Sequence, residues 1–399
     1  VNDLDGRASL LDGQKVLITG VTGKIAFPIA RALAQRNEVW GAARLRNDAD
    51  RERLIGAGIN PVALDMSTGD FTGLPDDFGY VFHAAVDPGA GYWTQCLATN
   101  AHNSGELLHH CRGAKGFVFC STGSVYGYQG QRPLRETDPP GVPLRPNYSF
   151  SKIAAEAVCT WVATRYRIPL TIIRICSTYG PEGGAPADRL DAMLAGRPIR
   201  LHPDKPNNYN PIYEDDYVEL GIRAMEVAGT PPVVVNWAGS ETVSAEDYCA
   251  YMGKLVGVDP VFEYTPDAHT PLWPDVTLMH EILGRTKVPW RDGFRRMVAA
   301  RHPEIALHEG PLWSFPVPRR MRSPTSSRPD VVTSQRFSCP WPGVIPRAAT
   351  PSICAGTPST TGPNSTGLPA YGLLCGWCRH PNAEPHAHRA TSASTRSTT

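Results

Sequence analysis

Short apolar, β-branched runs alternate with longer helical patterns from about residue 15 to 240. The runs are KVLITG, EVWGAAR, PVALD, YVFHAA, GFVFCST, LTIIRIC and PVVVNWAG. Several are apolar at consecutive positions, as strands covered on both faces are. Between them stand FPIARALAQR, NSGELLHHCR and SKIAAEAVCTWVATRY, whose apolar positions recur at helical spacing. Strand–helix alternation of this kind predicts an α/β fold with a doubly wound parallel sheet. Ligands of such sheets bind outside the carboxyl ends of the strands.

The pattern then changes twice. From about Pro181 to Asn210 the chain is rich in Pro, Gly and Asn, with one helical piece, DRLDAMLAG. A second helical stretch starts at Ser244, where Ser244 is a candidate N-cap and Asp247 stands three residues on, as capping requires. These segments predict a smaller lobe over the substrate, made of 181–210 and 244–308, with the nucleotide-binding part at 12–180 and 211–243. Beyond about Leu307, roughly one residue in six is proline and about a quarter are Ser or Thr, a composition typical of disorder. The stretch 309–399 has no lysine and no sustained period. It reads as a disordered tail, or as an out-of-frame translation of a high-GC gene.

The turn after the first strand carries candidate chemistry. In VLITGVTGKIAFPIARAL, Gly20 permits a sharp turn and Gly23 permits close approach of backbone to a pyrophosphate. Ala26 takes the third small position, where helix meets strand. The helix N-terminus then offers free N–H groups to phosphate. A strand, this turn and a helix together indicate a dinucleotide site on a Rossmann-type sheet. Thr22, Lys24 and Ile25 fill out the turn. Arg44 ends the second strand, where an acid would favour NAD. Arginine suits the 2′-phosphate of NADP, with Arg46 in support, so NADP(H) is the favoured cofactor. Asp65, followed by Met66, stands where it would accept from the adenine amino group or cap its own loop.

Charge and composition exclude more than they add. The 399 residues carry a formal net charge of +1, which gives no reason to expect nucleic acid or an anionic membrane surface as a partner. No apolar run approaches the roughly 20 residues of a membrane helix. The beginning, VNDLDGRASLLDGQ, lacks the regions of a signal peptide, so a soluble cytoplasmic protein is expected. Cys96, Cys111, Cys120, Cys159, Cys176 and Cys249 are scattered among apolar residues and read as small buried hydrophobes. Cys375 and Cys378 form one Cys-x-x-Cys pair without further ligands at suitable spacing, and no metal is expected.

Four further stretches follow in order: VFHAA, STGSVYG, YSFSK and RICSTYGPEGG. With TGVTGKIA they resemble the extended short-chain dehydrogenase/reductase family, which includes the NAD-dependent epimerase/dehydratase group. The likeness covers about residues 14 to 302. It implies that Tyr148 is a general acid/base and that Lys152 binds the nicotinamide ribose and lowers the tyrosine pKa. It implies that Thr122 binds a substrate oxygen and that Asn100, opening NAHNSGELLHH, supports the site. Ala84, Ala85, Cys176 and Ser177 are implied to line the cofactor. Elementary chemistry agrees: residues four apart share a helix face, and a neighbouring cation favours phenolate. Two structural alternatives stay open, Thr122 as a turn cap and Asn100 as a helix N-cap. The resemblance also implies a homodimer, paired through the helix after Tyr148 and the one after Asn100.

Departures from the family pattern narrow the reaction. Dehydratases of the family carry an acidic pair where this chain has Gly123 and Ser124. Nucleotide-sugar enzymes usually have asparagine where Ser177 stands and a diphosphate-binding arginine where Tyr209 stands. Lys205, Arg197 and Arg200 are alternative anchors. The expectation is therefore an NADP(H)-dependent oxidoreductase interconverting a carbonyl and a secondary alcohol on a small or apolar substrate. The alternatives are a nucleotide-sugar epimerase and a non-catalytic NADP(H) sensor.

Overall fold

The computed structural model describes residues 11–89, 91–141 and 146–308. The expected tail and the Cys375–Cys378 pair lie outside the described residues. Seven strands form one sheet: β1 (Lys15–Thr19), β2 (Glu38–Ala43), β3 (Asn60–Ala63), β4 (Tyr80–His83), β5 (Gly116–Thr122), β6 (Leu170–Ile175) and β7 (Val233–Trp237). Their spatial order is β7-β6-β5-β4-β1-β2-β3, and every pairing is parallel. The order reverses between β1 and β4, which opens a crevice at their carboxyl ends.

Alternation along the strands feeds two apolar layers. Val16 and Ile18 of β1 enter one core, which also holds Ile29 of α1 (Ala26–Leu33) and Leu220 of α7 (Glu214–Glu226). Leu17 enters the other, with Leu107 of α4 (Asn103–His110) and Cys159 of α5 (Pro146–Tyr166). Burial on both faces explains why the strands read as continuous apolar runs. All seven residues of β5 are buried.

A third core holds α6 (Ala185–Leu194), α8 (Ala245–Val256) and α10 (Trp290–Arg301) together. Local chemistry sets the limits of α8. The Ser244 side chain accepts from the Asp247 amide at 3.0 Å, and Gly257 closes the helix at φ +71°. Only a residue without a Cβ takes that conformation freely. Phe294 of α10 stacks between Tyr179 and Tyr248, with ring centroids 4.4 and 4.9 Å away.

One local expectation is corrected. Asn100 does not open a helix. It lies inside a continuous helical segment, in a π-helical turn at Ala98–His102 between α3 (Trp93–Leu97) and α4. The backbone there is already hydrogen-bonded, so the asparagine side chain has no N-terminal amides to cap.

Candidate active site

Among the described residues, three cavities line the carboxyl ends of the strands. The first, of about 500 Å³, runs along the glycine turn and the ends of β2 and β3. It takes in Gly20, Thr22, Gly23, Ala84 and Ala85, and beyond them Arg44, Arg46, Asp65 and Met66. The second, of about 270 Å³, is lined by Lys24, Ile25, Thr122, Tyr148 and Lys152. It shares Gly20, Gly23 and Ala84 with the first. The third, of about 510 Å³, lies toward the lobe and includes Thr122, Cys176 and Ser177. Thr122 and Ile175 belong to both the second and third.

The glycine turn fits a dinucleotide by shape. Gly20 sits at φ +66°, and a Cβ there would come 2.7 Å from the Ala85 amide nitrogen. A Cβ on Gly23 would stand 3.0 Å from the Gly20 carbonyl. Both glycines line the first and second cavities just before the start of α1, and the N-terminus of a helix is a place where phosphate binds. Arg44 and Arg46 both line the far end. Asp65 accepts from the Ser67 amide at 2.9 Å and from the Ser67 hydroxyl at 2.8 Å. These bonds, aided by Arg44 and Arg46, hold its carboxyl below the usual range. Asp65 therefore caps its loop while lining the cavity.

Thr122 terminates β5, and its hydroxyl oxygen accepts from the Ser124 amide at 3.1 Å. The cap leaves the O–H proton able to donate. Gly123 and Ser124 form a short 3₁₀ turn after it, and among the described residues none that lines the second or third cavity is acidic.

Lys152 is 2% exposed, with its ammonium 4.0 Å from the centre of the Phe119 ring. Burial pushes it down to about 8, with Cys120, Cys159, Glu156 and Cys96 acting in the opposite direction. Tyr148 stands one helical turn earlier on α5, on the same cavity. A Cβ on Gly89 would approach the Tyr148 amide nitrogen to 2.9 Å, so the loop after β4 packs directly on this turn of α5.

Asn100 works behind the cavity rather than on its wall. Its side chain accepts from the Asp87 amide at 2.7 Å and donates to the Asp87 carbonyl at 2.8 Å. It also donates to the Ser151 hydroxyl at 2.9 Å, and that hydroxyl donates to the Tyr148 carbonyl at 2.7 Å. One buried amide thus ties the loop after β4 to the turn of α5 that carries Tyr148 and Lys152.

Two further networks support the strand ends, and sequence patterning gave no sign of either. His83 Nδ1 lies 2.6 Å from the Thr19 hydroxyl, and Nε2 lies 2.8 Å from the Ser104 hydroxyl. Ser104 donates to the Asn100 carbonyl at 2.7 Å, so it accepts from Nε2–H. Thr19 then donates to Nδ1, and its oxygen accepts from the Ala85 amide at 3.2 Å. Donors and acceptors alternate along this chain only when the imidazole is neutral. Burial, with Lys152 nearby, pushes His83 down to about 3. In the second network, Arg174 grips Glu156 through two bonds of 3.1 and 2.8 Å and donates to the Tyr126 hydroxyl at 3.0 Å. Ser121 donates to the same carboxylate at 2.5 Å, and Tyr126 donates to Asn236 at 2.6 Å. The ends of β5, β6 and β7 are knotted to α5.

Sequence reasoning also missed Arg189. It stands on α6, lines the third cavity, and lies 5.0 Å from the centre of the Tyr209 ring. The suggested anchors Lys205, Arg197 and Arg200 do not line that cavity. Lys205 lies over the Tyr264 ring at 3.5 Å, and Arg200 pairs with Glu263 at 3.8 Å.

Comparison with known proteins is consistent with this geometry. Residues 16–238 match the family model described as the NAD dependent epimerase/dehydratase family. UDP-glucose 4-epimerase of Mycolicibacterium smegmatis is 28% identical over 319 residues, covering 74% of this chain and 96% of the relative. The solved structure of UDP-glucuronic acid 4-epimerase from Bacillus cereus with NAD superposes with a TM-score of 0.63 at 23% identity, covering 73% of this chain and 99% of that one. UDP-N-acetylglucosamine 4-epimerase from Methanobrevibacter ruminantium gives a TM-score of 0.64 at 19% identity, over 74% and 100% of the two chains. At these identities the structures establish a shared fold.

Proposed function

The chain belongs to the NAD-dependent epimerase/dehydratase family, and from that premise we propose an oxidoreductase that interconverts a carbonyl and a secondary alcohol, with NADP(H) favoured. The observation that carries the reading is the second cavity, where Tyr148, Lys152 and Thr122 meet the glycine turn. The nicotinamide dinucleotide supplies or takes a hydride when bound. Gly20 and Gly23 admit its pyrophosphate, and Ala84 borders the crevice. Arg44 and Arg46, which line the first cavity, would hold the 2′-phosphate.

In the reducing direction, Thr122 donates to the substrate carbonyl oxygen and holds it. Tyr148 gives its phenolic proton to that oxygen as the carbon is reduced. The Lys152 ammonium, one turn on along α5 and on the same cavity, offsets the negative charge left on the Tyr148 oxygen. Asn100 positions the Tyr148 turn through Ser151 and does not touch the reacting atoms. Among the described residues no acid lines the second or third cavity, so the reading does not include water elimination.

Epimerisation of a nucleotide sugar is the second reading, favoured by the relatives matched over most of their length. It uses the same groups, with the hydride returned to the opposite face. A homodimer through α4 and α5 accompanies either reading, since Trp161 and Tyr166 of α5 are exposed. The cofactor preference is tested by equilibrium binding. NADPH is expected to bind about tenfold or more tighter than NADH, with the advantage lost in Arg44→Ala. Equal affinities, or tighter NADH, would overturn it.

A further inference from the structure

The segment between β6 and α6 crosses the glycine turn as a strap with a fixed base. Thr178 and Tyr179 pair in parallel with Ile212 and Tyr213, and the Ile212 amide donates to the Ser177 carbonyl at 3.1 Å. Gly180 and Gly183 exchange backbone hydrogen bonds of 3.1 Å in each direction, which leaves Pro181 and Glu182 at the tip of a tight loop. A Cβ on Gly180 would stand 2.9 Å from the Glu214 Cβ, so the loop rests on the start of α7. Glu214 in turn pairs with Arg31 of α1 at 3.3 Å.

Beyond its base the strap lies along Lys24. A Cβ on Gly183 would come 2.7, 3.0 and 3.2 Å from the Nζ, Cε and Cδ atoms of that lysine. Lys24 follows Gly23 in the glycine turn and lines the second cavity. The tip reaches further, to α2 (Asp48–Gly56), where Glu182 pairs with Arg53 at 2.9 Å. The Arg53 guanidinium lies 3.6 Å from the centre of the Phe27 ring, in the first turn of α1. Backbone from beyond β6 is thus clasped to the helix after β2, across the start of α1.

The clasp is built to release. Gly183 and Gly184 both sit at φ +121°, and a residue without a Cβ turns there with the least hindrance. Glu182 and Arg53 are each 36% exposed, and an ion pair so open to water is weak and breaks readily. Among the described residues that line the three cavities, neither is present.

We propose that residues 180–184 form a gate over the glycine turn, with the Glu182–Arg53 pair as its latch, and that the gate sets how fast the dinucleotide enters and leaves. The proposal rests on the reading that the glycine turn holds the dinucleotide. Because the latch joins protein groups alone, it acts on entry and exit alike and leaves affinity nearly unchanged.

The test is stopped-flow fluorescence of the full chain with NADPH in one arm and NADH in the other. Association is read on mixing, and release on a chase with excess oxidised cofactor. Glu182→Gln and Arg53→Met keep side-chain bulk and lose the pair. Each should raise both rate constants by about two- to fivefold, the span of an exposed pair. The dissociation constant, which is their ratio, should move by less than about twofold. The double variant should exchange cofactor no faster than either single one, since both remove the same contact. Unchanged rates in the single variants would overturn the proposal, as would additive effects in the double variant. A rise in release matched by an equal rise in dissociation constant would also overturn it, by making the pair part of the binding wall. Gly20→Val separates the gate from the reading beneath it. Its Cβ would stand 2.7 Å from the Ala85 amide nitrogen and should abolish binding. Wild-type binding by that variant would remove the dinucleotide from the turn, and the gate with it. Loss of binding there, with unchanged rates in Glu182→Gln, would remove the gate and leave the site standing.

Discussion

The cofactor-side cavities and the lobe-side cavity share Thr122 and Ile175 but are built from different material. The cofactor side is organised around backbone at a glycine turn. Gly20, Gly23, Ala84 and Ala85 clear a channel at the ends of two adjacent strands, and the Thr19–His83–Ser104 chain fixes those ends from below. The lobe side is made of large side chains brought from distant segments: Tyr128, Arg189, Tyr209 and His269. A backbone channel suits a ligand common to many enzymes of one fold, whereas side chains set what one enzyme accepts.

The comparison is tested most severely where the two sides meet. Tyr148→Phe removes only the phenolic hydroxyl. Turnover should fall by about 10²–10⁴-fold, the usual range for a general acid, while NADPH affinity changes little. Steady-state kinetics and fluorescence titration together check this. A parallel loss of NADPH binding would mean that the tyrosine builds the channel rather than serving the chemistry.

The Glu156–Arg174 pair asks whether the two sides share one scaffold. Both side chains are mostly buried, 13% and 12% exposed. Glu156→Ala leaves the guanidinium without its carboxylate and should cost about 3–5 kcal/mol in urea unfolding. Because the knot joins the ends of β5, β6 and β7 to α5, both cavities should loosen, with weaker NADPH binding and a raised KM for the carbonyl substrate. Loss confined to one side would show that the scaffolds are separate.

Lys152 separates stability from function within the cofactor side. Its pKa falls from about 10.4 in an unfolded chain to about 8 in the fold. Between these values the folded chain binds fewer protons than the unfolded one, so stability rises with pH across that window. Below about pH 8 the burial penalty is fully present. Lys152→Met should therefore raise stability at pH 7 by up to roughly 3 kcal/mol, flatten the rise between pH 8 and 10, and abolish turnover. Thermal melts across pH check it. A less stable variant would mean that the ammonium is held by favourable contacts that outweigh its burial.

How much of this was legible in the sequence follows from the same contrast. Gly20 and Gly23 could be read because the turn is local, between a strand and a helix adjacent in the chain. Tyr148 and Lys152 could be read because four residues return to the same helix face. Ser244 was found as a cap by the same local logic. Arg189 could not be read, since its meaning depends on Tyr209 and Tyr248, which neighbour it only through tertiary packing. Arg189 and Tyr209 line one cavity, and no spacing rule links them. Asn100 was misplaced for a related reason. A π-helical turn inside a helix has no sequence signature as plain as a cap, and its function here is set by Asp87 and Ser151.

The most direct test of the central claim follows the hydride. With NADPH deuterated at the transferable position, a carbonyl substrate and the full chain, the account predicts one deuterium on the carbinol carbon of the product for each NADPH consumed, and none from Tyr148→Phe on the same timescale. NADPH oxidation without deuterium in the product, or wild-type transfer by Tyr148→Phe, would contradict it.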